Sequence, residues 1–141
     1  MTKKATIYLK DYQPPDFSIE SVALDFLLGE EDTRVRGTLS IKRNGRHSKP
    51  LVLDGEALSL RSIKLNDQSL DPTAYTLSGD KLILDTNLER FVVQTEVIIH
   101  PRDNTTLSGL YCSGGNFCTQ CEAEGFRSIT YTMDRPDVLA R

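Results

Sequence analysis

The feature that most constrains this chain is a strict alternation of apolar and polar residues. Val35, Gly37, Leu39 and Ile41 alternate with polar side chains, and a similar pattern runs from Phe91 to Ile99. Side chains of a β-strand point to opposite faces in turn, so this pattern predicts strands with one buried and one solvated face. No stretch before residue 130 has the spacing of an amphipathic helix. The chain is therefore expected to fold as an all-β protein.

A further long strand is predicted from Phe17 to Leu28, but its pattern changes parity part-way. The apolar residues begin at Phe17 and Ile19 and resume at Val22 and Leu24. A slip of one residue is what a β-bulge absorbs. We therefore expect a bulge within this strand.

Brief apolar runs separated by turn residues predict several shorter strands. They lie at Leu51–Leu53, Leu58–Leu65, Tyr75–Leu77 and Lys81–Leu84. Asn44-Gly45 stands between two alternating runs, and this dipeptide favours the positive φ angles of a tight hairpin turn. Many short strands with such turns indicate a β-sandwich or an open double sheet.

Length and charge limit the classes of function. The 141 residues are enough for one domain with a core of its own. The formal net charge is −3 and the sequence pI is about 5.4, which gives no reason to expect a nucleic-acid partner. Seven basic residues do fall between Arg34 and Arg61, and we interpret them as a solvated strand face and a hairpin tip.

Neither a membrane nor an export route is indicated. No apolar run approaches the ~18 residues that a bilayer span needs. The first residues contain no apolar core typical of a signal peptide. Three cysteines, an odd number, argue against a disulfide framework and fit a reducing compartment. We expect no membrane partner and a cytoplasmic location.

The segment from His100 to Cys121 is predicted to be a long loop, because it is rich in Asn, Thr, Ser and Gly. It contains Cys112, Cys118 and Cys121. A structural zinc site usually needs four ligands, and the two histidines of the chain are isolated in sequence. We interpret the thiols as free structural cysteines, with a metal site or a redox pair as alternatives, and expect this chain to bind no metal.

The polar stretch Thr119–Arg127 is the strongest candidate for a binding site. If it runs extended, Gln120, Glu122 and Glu124 point to one face. A glutamate supplies charge and a glutamine carbonyl supplies a neutral acceptor, which suits a cation with directional N–H donors. The alternative is a solvated polar loop. No complete catalytic set is present, since the His-Glu-x-x-His and Gly-x-Ser-x-Gly patterns and a phosphate-binding glycine loop are absent.

The end of the sequence carries a specific set of short motifs. These are Gly109–Tyr111, Thr119–Arg127, Ile129–Tyr131 and Asp134–Arg141, with looser ones at Lys10–Tyr12, Pro15–Phe17 and Asp54–Glu56. In these motifs the chain resembles the aminopeptidase N family of zinc metallopeptidases, the bacterial alanyl-aminopeptidase type in particular. The resemblance spans nearly the whole chain, loosely before residue 100 and tightly after it.

The resemblance implies a fold and a role. The chain, residues 1–141, would be an amino-terminal β-domain that stops before its natural end. Its fold would be a twisted, saddle-like β-sandwich or open double sheet of antiparallel and mixed strands, with little helix. In the family this domain packs on a thermolysin-like zinc domain, and its Gln-x-Glu loop grips the free α-amine of a peptide substrate. That role falls on Gln120 and Glu122, whereas Glu124 and Asp134–Asp137 would be structural, the latter near the interface with the zinc domain.

The same resemblance implies what this chain lacks. The zinc ligands and the general base of the family lie beyond Arg141, so Zn²⁺ in the full-length enzyme would be held by residues outside this chain. The chain alone would hydrolyse nothing. Its partners would be peptides with a free amino terminus and the zinc domain of the same enzyme. A stand-alone β-sandwich binding module without catalysis is the alternative, and a metal-binding or redox module built on the three cysteines is a third.

Overall fold

β-Strands make up nearly all the regular structure of the computed structural model, which describes residues 5–141. The strands are β1 Phe17–Leu27, β2 Thr33–Arg43, β3 Leu51–Asp54, β4 Ser59–Leu65, β5 Gln68–Ser69, β6 Thr76–Ser78, β7 Lys81–Leu84, β8 Arg90–Ile99, β9 Gly109–Ser113 and β10 Asn116–Gln120. Short 3₁₀ turns lie at Leu9–Asp11, Pro72–Ala74 and Phe126–Ser128. Within the described range, no helix has the length and apolar character needed to cross a membrane. The prediction of an all-β fold with little helix is confirmed.

The strands form a double-sheet arrangement. The larger sheet has five strands in the order β1-β2-β8-β4-β5, and the smaller has three in the order β3-β7-β6. Leu39 and Val93 of the larger sheet and Leu53 and Leu82 of the smaller one belong to the same hydrophobic core. β9 and β10 form a separate hairpin. Every strand pair among residues 5–141 is antiparallel, so the parallel pairs that mixed strands require are not found in this range.

The alternation of apolar and polar residues in β2 matches the alternation of buried and more exposed side chains in the structure. The odd-numbered positions from Thr33 to Arg43 are buried, whereas Arg34 and Arg36 are exposed on the other face. There Glu96 of β8 lies 3.7 Å from Arg34 and 3.1 Å from Arg36. The solvated strand face predicted for the basic cluster is confirmed at these two residues. Exposed ion pairs of this kind contribute at most about 1 kcal/mol each.

The bulge predicted in β1 is also confirmed. The pairing of β1 with β2 shifts register between Ile19 and Ser21. Before the shift, Phe17 and Ile19 are buried in the core, and after it Val22 and Leu24 pack against the core. The extra residue thus keeps apolar side chains on the inner face in both halves of the strand.

The last residues of the chain return to its beginning. The N–H of Val22 donates to the carbonyl of Arg141 at 2.8 Å. Asp137 accepts hydrogen bonds from the Arg135 guanidinium at 2.7 and 2.9 Å and from the Tyr12 hydroxyl at 2.8 Å. These two donors, Arg135 first, lower the pKa of Asp137. The N–H of Val138 donates to the carbonyl of Arg135 at 3.1 Å, so the chain turns here and links the two ends of its described part.

The hairpin predicted at Asn44-Gly45 is wrong. β2 and β3 do not pair, because β3 belongs to the three-stranded sheet. The Asn44 side chain instead accepts from the Ser18 hydroxyl at 2.7 Å and donates to the carbonyl of Pro15 at 3.0 Å. These bonds hold the chain against the start of β1 before it crosses to the other sheet.

The physical reason for this route is the buried guanidinium of Arg43, a residue that is only 6% exposed. It lies 4.8 Å over the ring of Phe17. It donates hydrogen bonds to the backbone carbonyls of His47 (3.1 Å), Lys49 (3.0 Å), Leu88 (3.2 Å) and Thr86. A buried charge needs acceptors for its donors. Residues 44–49 therefore wrap around Arg43 rather than close a two-residue hairpin.

Replacing Arg43 tests how much this arrangement stabilises the fold. We expect Arg43→Met to lower the free energy of unfolding by about 3 kcal/mol, because it leaves several buried carbonyls without a donor. Arg43→Lys should recover little, since an ammonium group cannot reach the same spread of acceptors. Urea unfolding measures both changes, with the exposed substitution Arg36→Lys as the control, expected to cost less than about 1 kcal/mol. Equal stability of Arg43→Lys and the parent chain would contradict this account.

Candidate functional site

The candidate site is carried by a β-hairpin. The loop predicted from His100 to Cys121 is wrong over its second half, where β9 and β10 pair along their full length. Gly114 and Gly115 form the connecting turn with φ angles of 57° and 81°, which glycine adopts without strain. Gly-Gly between two short runs is itself a hairpin signal, so the sequence did contain a signal for this element.

The base of the hairpin is fixed to the loop that precedes it. Gly109 lies opposite Gln120 in the ladder. Its φ is 76°, and a Cβ there would lie 2.8 Å from the Cβ of Ser128. The Asn104 side chain donates to the carbonyls of the two residues that flank Gly109, at 2.7 and 2.9 Å. These contacts fix the backbone around Gly109, and the strand pairing of Gly109 with Gln120 in turn fixes the backbone of Gln120.

A tight turn of residues 121–125, here called the Glu122 turn, follows β10. The N–H of Gly125 donates to the carbonyl of Cys121 at 2.9 Å, and the peptide bond that follows Glu122 is cis. The strand ends at Gln120. The prediction that an extended chain places the glutamine and both glutamates on one face is therefore wrong.

Close packing around Gly125 explains why the turn needs a glycine at this position. A Cβ at this position would lie 2.5 Å from the carbonyl oxygen of Gln120 and 2.7 Å from Oγ of Ser108. The φ of Gly125 is −84°, which any residue adopts. The turn thus requires glycine for room and not for an unusual backbone angle.

Both predicted binding residues face solvent. Gln120 and Glu122 are exposed, and within residues 5–141 neither side chain forms a hydrogen bond or an ion pair with the protein. Glu124 is exposed too, but its carboxylate lies 3.6 Å from Arg127. An exposed carboxylate and an exposed amide carbonyl two residues apart can each accept N–H donors from a ligand. The structure therefore leaves Gln120 and Glu122 open for binding and engages Glu124 internally.

The three cysteines do not converge on one point. Cys112 and Cys118 occupy neighbouring cross-strand pairs, so their side chains point to opposite faces of the hairpin. All three thiols are free. In the part of the chain that the structure describes, no group of three or more His, Cys, Asp or Glu is placed to hold a metal ion. The geometry gives no support to a site built from the three thiols.

A pocket of 280 Å³ lies beside the hairpin base. Its lining includes Ile99, His100, Asn104, Leu110 and Ser128. Neither Gln120 nor Glu122 belongs to this lining. The candidate binding residues are therefore exposed side chains outside this pocket.

Sequence reasoning missed an ion pair that begins two residues after the Glu122 turn. Arg127 and Asp134 form an ion pair at 3.2 Å, and their side chains are only 18% and 12% exposed. Burial lowers the pKa of Arg127, but its acidic neighbours, Asp134 first, leave it raised. The periodicity of the sequence cannot predict such an ion pair, because the tertiary fold determines which charged side chains come into contact. The only signal was that both residues lie within the motifs of the resemblance.

Proteins named Aminopeptidase N are similar in sequence to this chain. The chain is 49% identical over 135 residues to Aminopeptidase N of Caulobacter vibrioides and 45% identical over 134 residues to that of Escherichia coli, which covers 96% and 95% of the chain. The chain belongs to the aminopeptidase N family. It spans only 16% and 15% of the length of these two relatives. No protein-family model matches it.

Solved structures have the same fold. The crystal structure of Legionella pneumophila aminopeptidase A in complex with aspartic acid matches with a TM-score of 0.85 and 33% identity, over 94% of this chain and 16% of that one. A mutant M1 zinc metallopeptidase of Deinococcus radiodurans, bound to a Tyr-Ser-Ala substrate, matches with a TM-score of 0.71 over 89% of this chain and 31% of that one. Its identity is 17%, so this second match concerns the fold alone.

Gly125→Ala tests the packing of the Glu122 turn. We expect a loss of about 3 kcal/mol in the free energy of unfolding, because the new methyl group would collide with a backbone carbonyl. Gly79→Ala is the control. It has a φ of 56° but no atom within 4 Å of the added Cβ, so it should lose only the backbone term, about 1 kcal/mol. Urea unfolding compares the two, and a smaller loss for Gly125→Ala than for Gly79→Ala would refute the steric argument.

The Cys121 thiol should react slowly for a partly exposed cysteine. Burial, and then the charge of Asp134, raise its pKa from the ordinary value of 9.0. Because the thiolate is the nucleophile, a smaller thiolate fraction at pH 8 predicts slower alkylation by iodoacetamide than in a short peptide of the same sequence. The midpoint of the rise in rate with pH should lie above that of the peptide. Mass spectrometry of the labelled chain measures it, and a midpoint at or below that of the peptide would be the contrary result.

Proposed function

We propose that this chain is the amino-terminal domain of a zinc aminopeptidase that removes amino-terminal residues from peptides. In this proposal Gln120 and Glu122 hold the free α-amine of the substrate. The observation that carries it is an exposed carboxylate, Glu122, that has no partner within residues 5–141 and lies two residues after the exposed amide that ends β10. The 49% identity to an Aminopeptidase N supports the class of enzyme.

The chemistry of an α-amine matches these two side chains. Its pKa lies near 7.7–8.0, so at neutral pH it is mostly a cation with three N–H donors. The Glu122 carboxylate supplies the opposite charge, and the Gln120 carbonyl supplies a second acceptor in a different direction. A charge-assisted hydrogen bond of this kind contributes roughly 1.5–3 kcal/mol once water is excluded.

The same contact would enforce the choice between a chain end and a chain interior. An acylated amino terminus or an internal peptide bond brings no cation, so it would bury the Glu122 carboxylate without a partner. Specificity would therefore come from the penalty on the wrong substrate as well as from attraction of the right one. A fixed distance from the amine-binding residues, Gln120 and Glu122, to the reacting centre would place only the first peptide bond of the substrate at that centre.

The zinc ion belongs to the rest of the protein in this proposal. Residues 5–141 offer no group of three or more possible metal ligands, so the ligands would come from the part of the protein outside this chain. Zinc bound there would polarise the scissile carbonyl and activate a water molecule. The residues of this chain would bind and orient the amine, and the chain alone is expected to hydrolyse nothing.

The proposal includes a partner and a location. The surface that carries Gln120 and Glu122 would face the zinc domain of the same enzyme, because an amine grip works only next to the reacting centre. Three free thiols suit a reducing compartment, so the cytoplasm stays our prediction.

Glu122→Gln in the full natural gene product tests the amine grip. We expect kcat/KM for alanine anilide to fall ~10²-fold or more, about 2.7 kcal/mol, because the amide keeps the shape of the side chain and loses its charge. Glu124→Gln is the matched control, since it removes the same charge two residues later from a side chain that pairs with Arg127. Its kcat/KM should stay close to that of the parent enzyme.

Two results would count against the grip. One is an unimpaired Glu122→Gln enzyme, and the other is a loss of equal size for Glu124→Gln. N-acetylalanine anilide should not be cleaved by the parent enzyme, because it has no amine cation to bind. An inactive natural product would favour the alternative of a binding module without catalysis.

A further inference from the structure

Two acidic motifs, Asp54–Glu56 and Asp134–Asp137, contact each other near the Glu122 turn. Neither motif belongs to the proposed amine-binding residues, Gln120 and Glu122. Asp54 ends β3, and its backbone pairs with Thr132 through two hydrogen bonds of 2.6 and 3.1 Å. The Asp54 carboxylate accepts from the N–H of Asp134 at 3.0 Å and is paired with Lys81. The side chains of Asp54 and Asp134 are each 12% exposed. The end of β3 thus fixes the position of Asp134 through both backbone and side chain.

Arg127 joins Asp134 to the Glu122 turn. Its backbone N–H and its Nε both donate to Oδ2 of Asp134, at 3.1 and 3.2 Å, and its Nη2 donates to the carbonyl of Asp134 at 3.2 Å. The carbonyl of Arg127 accepts from the N–H of Glu56 at 2.9 Å. Gly125, which closes the turn, lies only two residues earlier. Any displacement of the Arg127 backbone would therefore reach the turn.

An ion pair that is largely shielded from water restricts position more than it adds stability. The cost of taking Arg127 and Asp134 out of water offsets most of their attraction. Three hydrogen bonds in fixed directions nevertheless leave the Arg127 backbone few alternative positions. Removal of the Asp134 charge would leave Arg127 paired only with the exposed Glu124 carboxylate at 3.6 Å, among residues 5–141, and would free the segment that follows the turn.

We propose that Asp134 is a positioning residue for substrate binding, which acts through Arg127 to set the place of Glu122. The inference rests on the proposed function, in which Glu122 holds the amine. A shift of ~1 Å in a group that orients the substrate can cost up to about 10²-fold in rate. The network of Asp54, Asp134 and Arg127 would therefore affect amine recognition although none of the three touches the substrate.

The experiment uses Asp134→Asn in the full natural gene product, a change that keeps an acceptor oxygen and removes the charge. We expect kcat/KM for alanine anilide to fall about tenfold. In the Glu122→Gln background the same change should cause little further loss, because Asp134 acts only through Glu122. Affinity for alanine hydroxamate should fall in parallel, whereas affinity for acetohydroxamate, which has no amine, should not change.

Asp137→Asn is the matched control. It makes the same change of charge three residues later, at a carboxylate that pairs with Arg135 at 2.7 Å. Its kinetics should equal those of the parent enzyme. Additive losses for Asp134→Asn and Glu122→Gln, or equal losses of affinity for the two hydroxamates, would overturn the proposal and leave Asp134 with a general structural role.

Amide hydrogen exchange separates a failure of this inference from a failure of the proposed function. In the Asp134→Asn protein the amides of Gly125 and Arg127 should exchange at least ~10-fold faster, and in Asp137→Asn at the parental rate. If Glu122→Gln proves fully active, the amine grip is wrong and the exchange rates alone decide whether Asp134 positions the turn. If both amides keep their parental rates in Asp134→Asn, the positioning role is wrong whatever Glu122 does.

Discussion

The antiparallel pairing of β2 with β8 is the interaction on which the rest of this structure depends. Val35 lies opposite Val97 and Leu39 opposite Val93, and all four side chains are at most 2% exposed. Burial of each such side chain contributes roughly 1.5–3 kcal/mol. β1 adds to one side of this pair and β4 to the other, while the smaller sheet covers its inner face. β8 then ends at Ile99, from which the chain enters the loop that holds the hairpin base.

Buried charges mark the places where the chain leaves a strand. Arg43 is the last residue of β2 and bonds four carbonyls of neighbouring loops. Asp54 is the last residue of β3 and accepts from the N–H of Asp134. Backbone groups beyond a strand end lack ladder partners and must find others when they are buried. In this fold ionised side chains supply those partners, which directs the chain from one sheet to the other and then toward the site.

The candidate site combines a restrained backbone with unrestrained side chains. The hairpin base, the hydrogen bond that closes the Glu122 turn and the Arg127–Asp134 pair all restrict the main chain around Gln120 and Glu122. Both side chains nevertheless have no partner within residues 5–141. A binding group gains most when its backbone is pre-organised and its polar atoms are free, since little ordering is left for the ligand to impose. This arrangement supports the proposed recognition of a substrate amine by Gln120 and Glu122.

Most of the large sheet could be predicted from local pattern. Alternation located β2 and β8 to within two residues, and the change of parity after Ile19 located the bulge in β1. The strands and the bulge are local features, because the direction of a side chain in a strand depends only on its position in that strand. The residue types of Gln120, Glu122 and Glu124 indicated a candidate cation site, and the family resemblance reduced it to Gln120 and Glu122, although the extended conformation assumed for them is wrong.

The sequence by itself thus determined the all-β class, the long strands and the identity of the two candidate binding residues. Only the tertiary structure decided the path after Arg43, the turn at Gly125 and the pairing of Arg127 with Asp134. The physical reason is that these features depend on atoms from distant parts of the chain. The carboxylate that receives the N–H of Asp134 lies 80 positions earlier, at Asp54. The acceptors of a buried charge, and the room beside a glycine, exist only once such distant segments have packed together.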